Sequence, residues 1–277
     1  MPFCFSPILL APIFWHKGGM IARLIVLAFF LAIPAAQAAD KKPAQKPPTQ
    51  KDLYEKCLSL ANLDPAAALG MAGDWALAKG GAPAAHCTAM ALTGLKRYDE
   101  ASAKLDALAR APGSGALRSQ MFDQAGNAWM LAGQADKAVA SFSAALALSG
   151  GDADLYADLA RAQALQSNWG EAESDLSAAL ALSPRRADLL ILRSSARLAQ
   201  GSRRAAAADA DAAIKLAPAS AEAVMQRGVV RRDSGDLKGA RADFDAALKR
   251  DPKGDTGNAA RRNLAALDAA KPPPQKK

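Results

Sequence analysis

His86 and Cys87 stand side by side in the stretch "PAAHCTAMAL" (83–92), and a thiol beside an imidazole is the pairing from which a nucleophile and its base are made. Here the spacing defeats the chemistry. The stretch reads as one packed helix, on which adjacent residues point in different directions, so the imidazole is not aligned to take the thiol's proton. The sequence holds 2 His, and the other, His16, lies with Cys4 and Trp15 in a stretch without organised pattern. No group of His, Cys and acidic residues has the spacing of metal ligands. The glycines follow helix ends and turns rather than forming phosphate-binding loops. Trp75, Trp129 and Trp169 suit packing and turn positions better than a ligand cage. The expectation is a protein with no catalytic residue, no metal and no cofactor, hence not an enzyme.

Ionic groups are better organised, because they recur. Asp175, Asp209 and Asp243 are 34 residues apart, and so are Arg193, Arg227 and Arg261. The same interval links "AALALSG" (144–150), "AALALSP" (178–184), "AAIKLAP" (212–218) and "AALKRDP" (246–252). A fixed period of this length marks an array of small structural units. Framing by the proline gives units 119–152, 153–186, 187–220 and 221–254. Their eighth places are small (Gly126, Ala160, Ser194, Gly228). Their twentieth are Ala138, Ala172, Ala206 and Ala240, and their twenty-seventh Ala145, Ala179, Ala213 and Ala247. Turn residues fall mid-unit at "AGQAD" (132–136), "QSNWG" (166–170), "QGSRR" (200–204) and "SGDLK" (234–238). Each half carries apolar residues at helical spacing. Each unit is therefore predicted to be two helices joined by a tight turn. Small residues allow the pair to approach closely, and Pro184, Pro218 and Pro252 end the second helix because the ring clashes with a continuing turn.

This pattern resembles the tetratricopeptide-repeat family. The resemblance implies an all-α solenoid of antiparallel helix pairs, about five units with capping helices, over residues 52–270. A looser unit occupies 82–118, where "RYDEASAKLDALA" (97–109) matches a second helix and "APGSGAL" (111–117) makes it long. Residues 52–81 read as a degenerate N-terminal cap, and 255–270 as a C-terminal capping helix.

The flanks read differently. From Met20, "MIARLIVLAFFLAIPAAQAAD" has the layout of a secretory signal peptide, with Met20 as the preferred start and cleavage expected after Ala38. Its apolar run is shorter than the roughly 20 residues a bilayer span requires. Residues 39–51 and 271–277 are Pro/Lys-rich and expected to be disordered. They hold the basic excess: residues 52–270 contain 26 Lys+Arg and 26 Asp+Glu. Nucleic-acid binding is therefore not expected, although the tails suit weak contact with anionic membrane or cell-wall polymer. Within the array, residues 52–182 sum to −6 and residues 185–270 to +6.

Three sets of residues are singled out. Cys57 and Cys87 fall on the first and third helices, which are neighbours if alternate helices stack, and export would place them where thiols pair. A disulfide is predicted. The Asp and Arg series predict ion pairs across unit junctions, Asp175–Arg193, Asp209–Arg227 and Asp243–Arg261. Where the Asp is absent (Lys104, Ser141), the next unit lacks the Arg (Ala125, Leu159). Finally, the resemblance implies a concave groove lined by the second, fifth, ninth and twelfth places of the units. These are Gln120, Asp123, Asn127 and Met130; Asp154, Ala157, Arg161 and Ala164; Asp188, Ile191, Ser195 and Leu198; and Glu222, Met225, Val229 and Arg232. They form a surface polar at one end and apolar towards the other. The resemblance implies a scaffold binding a peptide or helix of a protein partner, and the signal-peptide layout places it in the periplasm or outside the cell, with its partner in the bacterial envelope. The alternative is a structural or accessory part of a polymer-export or cell-wall assembly machine.

Overall fold

What ends each first helix is the same device repeated. In the computed structural model, whose residues 47–269 are described here, residues 133, 201 and 235 are glycines with φ of 74°, 78° and 86°. Each follows a helix and turns the chain back. The next amide then bonds to a carbonyl five residues earlier: Gln134 to Trp129 at 2.9 Å, Ser202 to Arg197 at 2.8 Å and Asp236 to Arg231 at 2.9 Å. This is the Schellman arrangement, which satisfies carbonyls that a helix end leaves open. Ser167 takes the place of glycine in one unit at φ 63°, and Asn168 completes the same bond to Gln163 at 3.0 Å.

The described residues hold thirteen helices and no strand. They pair as α1 (Gln50–Leu63) with α2 (Pro65–Leu77), then α3 (Gly81–Gly94) with α4 (Tyr98–Arg110). The four regular units are α5 (Gly115–Leu131) with α6 (Ala135–Ser149), α7 (Ala153–Leu165) with α8 (Trp169–Leu182), α9 (Ala187–Ala199) with α10 (Arg203–Leu216), and α11 (Ala221–Asp233) with α12 (Leu237–Arg250). The last helix, α13 (Asp255–Ala269), packs on α12 and α11. The chain is an all-α array of helix pairs. The expected signal peptide, most of the Pro/Lys linker and the basic tail lie outside the described residues.

Two boundaries differ from expectation. α1 starts ahead of residue 52 because Thr49 and Asp52 close a capping box, the Thr49 amide donating to the Asp52 carboxylate at 2.8 Å and the Asp52 amide to the Thr49 hydroxyl at 3.2 Å. Likewise α5 begins at Gly115, capped by the Ser114 hydroxyl, so part of "APGSGAL" adds a turn of helix ahead of the frame at 119.

The core is a matching of volumes. A Cβ built on Gly126 would lie 2.6 Å from the Phe142 ring, and one on Gly228 would lie 2.7 Å from the Phe244 ring. Ala160 with Leu176 repeats this matching, the first helix small where the second is large, while Ser194 with Ala210 is small on both sides. The alanines at the twentieth and twenty-seventh places are all buried where the paired helices cross. At the N-terminal end, Cys57 of α1 and Cys87 of α3 are both buried, their Cα atoms 6.0 Å apart, within the span that a disulfide bridges, among Ala72, Trp75 and Ala84.

The ion pairs form in a different register from the one the sequence suggested. Asp209 binds Arg193 through both carboxylate oxygens, at 2.8 and 2.9 Å, and Arg197 at 2.7 Å. Asp243 repeats this with Arg227 at 2.7 and 2.9 Å and Arg231 at 2.8 Å. Pairing is thus within a unit, and Asp175–Arg193, Asp209–Arg227 and Asp243–Arg261 are not formed. An antiparallel hairpin sets the seventh place opposite the twenty-third, and the eleventh lies one turn along the same face. Asp175 has Gln163, at that eleventh place, beside it instead of an arginine, and burial raises its carboxyl pKa. Arg261 instead donates to the Pro252 carbonyl at 2.9 Å and to Asn258 at 2.6 Å. The arginines do cross the junctions, but to other acceptors: Arg197 to Glu173 at 2.7 Å, Arg193 to Ser177 at 3.2 Å, and Arg227 to Asp211 at 3.6 Å.

Candidate functional site

Among the first helices α5 meets α7 and α9 meets α11, and residues of α7 and α9 line a common cavity, so their outer faces adjoin. Of the residues expected there, Gln120, Asn127, Asp154, Arg161, Ser195, Glu222 and Arg232 are exposed. Asp123, Met130, Ala164, Asp188, Ile191, Leu198, Met225 and Val229 are half-buried. Ala157 is not on the face. It is buried with Ala160, Ala172 and Leu189, because its place on α7 turns toward the core.

The face is not uniform. Two cavities lie along α7. The first, of about 510 Å³, is lined by Gln120 and Asp123 of α5, by Asp152, Asp154 and Asp158 at the start of α7, and by Leu148 and Ser149 at the end of α6. The second, of about 250 Å³, is lined by Met130 of α5, Ala164 and Leu165 of α7, Trp169 and Leu176 of α8, and Leu192, Ser195 and Ala196 of α9, with Arg161 between the two ends. The C-terminal members of the expected groove do other work. Met225 and Val229 pack against the core around Phe244 and Ala260, and Arg232 hydrogen-bonds Asn263 of α13. Asp188 is held by Arg186 at 2.6 and 2.9 Å, and the same guanidinium reaches Asp154 at 2.9 Å.

The first cavity carries uncompensated charge. Asp158 pairs with Arg161 and Asp154 with Arg186. Asp152 caps α7, accepting from the amides of Asp154 at 2.7 Å and Leu155 at 3.2 Å. Asp123 accepts from Asn127 at 3.0 Å, and among the described residues no cation pairs with Asp123 or Asp152. Burial, reinforced by the charges of Asp158, Asp152 and Asp154, pushes the Asp123 carboxyl up to about 6. Asp158 is also raised, chiefly by burial, and drawn back by Arg161.

This gives a direct test. Asp123 binds its proton more tightly folded than unfolded, so its effect on stability falls as pH rises from about 4 to about 6, and the charged form costs stability above that. Asp123→Asn, which keeps an acceptor for Asn127, should raise the unfolding free energy by about 1–2 kcal/mol at neutral pH, allowing for solvent in the cavity. The gain should vanish near pH 4, where the wild-type carboxyl is already neutral. Urea unfolding at the two pH values measures it.

His86 and Cys87 are committed elsewhere. The imidazole is buried, with Nδ1 2.6 Å from the Tyr54 hydroxyl and Nε2 2.6 Å from Gln124 Oε1, and burial lowers its pKa. Trp75 and Trp129 are buried, donating to Gln50 at 2.8 Å and Asp106 at 3.2 Å. Trp169 is the exception to the packing expectation, since it both packs on the core and lines the apolar cavity. The sequence frame also missed Asp152, Asp158, Leu165 and Leu192. Among the described residues no group of His, Cys, Asp and Glu could hold a metal ion, and no helix is long and apolar enough to cross a membrane.

Solved structures share this arrangement. The C-terminal part of a TPR repeat-containing protein from Cytophaga hutchinsonii superimposes with a TM-score of 0.60 at 15% identity, covering 79% of this chain and 96% of its own. The chain has the tetratricopeptide-repeat fold. MamA residues 41–end from Desulfovibrio magneticus RS-1 gives a TM-score of 0.55 at 18% identity, over 63% of this chain and 97% of that one. YrrB, described as a TPR protein with an unusual peptide-binding site, gives 0.51 at 19% identity over 69% and 96%. No family model and no curated protein matches the sequence. Within the tetratricopeptide-repeat array, the two cavities belong to the two N-terminal regular units and the first helix of the third.

Proposed function

We propose that this protein is a non-catalytic scaffold that holds a segment of a protein partner along the face of α5, α7 and α9. The observation that carries this reading is the run of two open cavities of opposite character along one helix, the first charged and the second apolar. A folded core has no use for carboxylates clustered at the cost that Asp123 shows, whereas a binding surface does. The peptide-binding site described for YrrB supports the reading by analogy of fold. The leader-like sequence from Met20 to Ala38 and the paired Cys57 and Cys87 support export, to the periplasm or beyond. The same carboxylates weigh against the polymer-machine alternative where the polymer is anionic, since they would repel it.

Exposed positions allow a test that spares the fold. Partners captured from bacterial envelope extract should be lost with Asn127→Arg combined with Ser195→Trp, with thermal stability no lower than that of the wild type. They should be retained when residues 271–277 are removed. Capture that survives the face variant but disappears with the tail would overturn the reading and favour polymer contact.

A further inference from the structure

The partner's chemistry follows from the spacing of the two cavities, given the scaffold reading above. Asp154 and Asp158 line the first cavity, and Ala164 and Leu165 line the second, all on α7. From Asp158 to Ala164 the helix rises about 9 Å, a distance an extended chain covers in about three residues. The walls differ in what they leave unsatisfied. In the first, Asp123 and Asp152 lack a cation among the described residues, and their neighbours Asp154 and Asp158 add like charge that a positive group would relieve. In the second, Leu165 is 61% exposed, and Met130, Trp169 and Leu192 offer further apolar surface around it.

We propose that the ligand is an extended peptide segment carrying a lysine or arginine and, about three residues away, an aliphatic or aromatic side chain. The cation sits against Asp123 and Asp158, and the apolar side chain sits between Met130, Leu165, Trp169 and Leu192. The charge pattern selects the cation. The volume of the second cavity, about 250 Å³, suits a side chain of leucine to phenylalanine size. The main chain of the ligand crosses Arg161, whose guanidinium stays with Asp158.

An array of immobilised random octapeptides, probed with the purified chain, tests this. Bound sequences should be enriched in Lys or Arg paired with Leu, Ile, Met or Phe two to four positions away. Asp123→Asn with Asp158→Asn should weaken binding of those peptides by about tenfold or more, because an interfacial charge loses its partner. Ser195→Trp should weaken the apolar preference and leave the basic one. Enrichment of apolar peptides without a basic residue, or of Lys-rich peptides without an apolar one, would overturn the spacing proposal while leaving the scaffold reading standing. If no peptide is enriched above background, the scaffold reading itself falls.

Discussion

Asp209→Ala lowers the unfolding free energy by about 3–5 kcal/mol, the cost of stripping one partner from a buried ionic group. Asp209 is 5% exposed, and its carboxylate receives three hydrogen bonds from Arg193 and Arg197. Both guanidiniums are themselves mostly covered, at 18% and 19% side-chain exposure. Without Asp209, Arg197 keeps Glu173 and Arg193 keeps only the Ser177 hydroxyl, so one cation is left in a poorly solvated junction. Asp243→Ala should cost less. Its partner Arg231 is 36% exposed and keeps Asp236 nearby, and Arg227 keeps Asp211. Replacing the whole group at once, Arg193→Met with Arg197→Met and Asp209→Leu, should recover most of the loss, since apolar packing often equals a buried ion pair. Chemical denaturation of the three variants measures the difference. Equal, small losses at Asp209 and Asp243 would show that solvent reaches both groups and that the network adds little.

How much of this was readable beforehand depends on what kind of geometry each feature requires. The helix pairs were legible because their determinants are local and periodic: Gly133, Gly201 and Gly235 turn the chain, Pro184 and Pro218 end helices, and Gly126 faces Phe142. Ser167, left-handed at the same turn, shows that the position demands a conformation rather than a residue type. The ion pairs were legible as a set but not in register. A spacing of 16 within a unit and of 18 across a junction both bring an Asp opposite an Arg, and the eleventh places, with Gln163 beside Asp175, decide between them. The eleventh places, Arg197 and Arg231, carried that information and stand in the sequence at the same 34-residue interval. The binding face was legible in part. Counting places on the first helix finds Gln120, Asp123, Met130, Asp154, Arg161, Ala164 and Ser195, which do line the cavities. It cannot find Asp152, which caps α7, or Trp169, which starts α8, because the walls of a cavity come from loops and second helices that no single-helix frame generates.

The other large effect is expected at the opposite end of the array. Cys57→Ala with Cys87→Ala should lower stability by about 3–4 kcal/mol, the loop-closure entropy that a link across 30 residues removes from the unfolded chain. The loss should be local as well as large. In a linear array each unit is held mainly by its neighbours, so a weakened terminal unit opens by itself. α1 and α2 have the most to lose: their core is small, built on Cys57, Ala72, Trp75, Ala84 and Cys87, with Ala61, Ala68 and Ala91 beyond it. A disulfide between them would join α1 to α3 and so tie this module to the start of the array. Hydrogen exchange should therefore quicken in α1 to α3 of the variant while α9 to α12 keep their protection, and denaturation followed by circular dichroism should split into two steps. The wild-type protein treated with reductant should behave as the variant does. Because both sulfurs are buried, reduction should need partial unfolding and be slow under native conditions. Two alkylatable thiols in unreduced protein recovered from the exported fraction, or exchange rates in α1 unchanged by the double substitution, would show that the cap is held by packing alone.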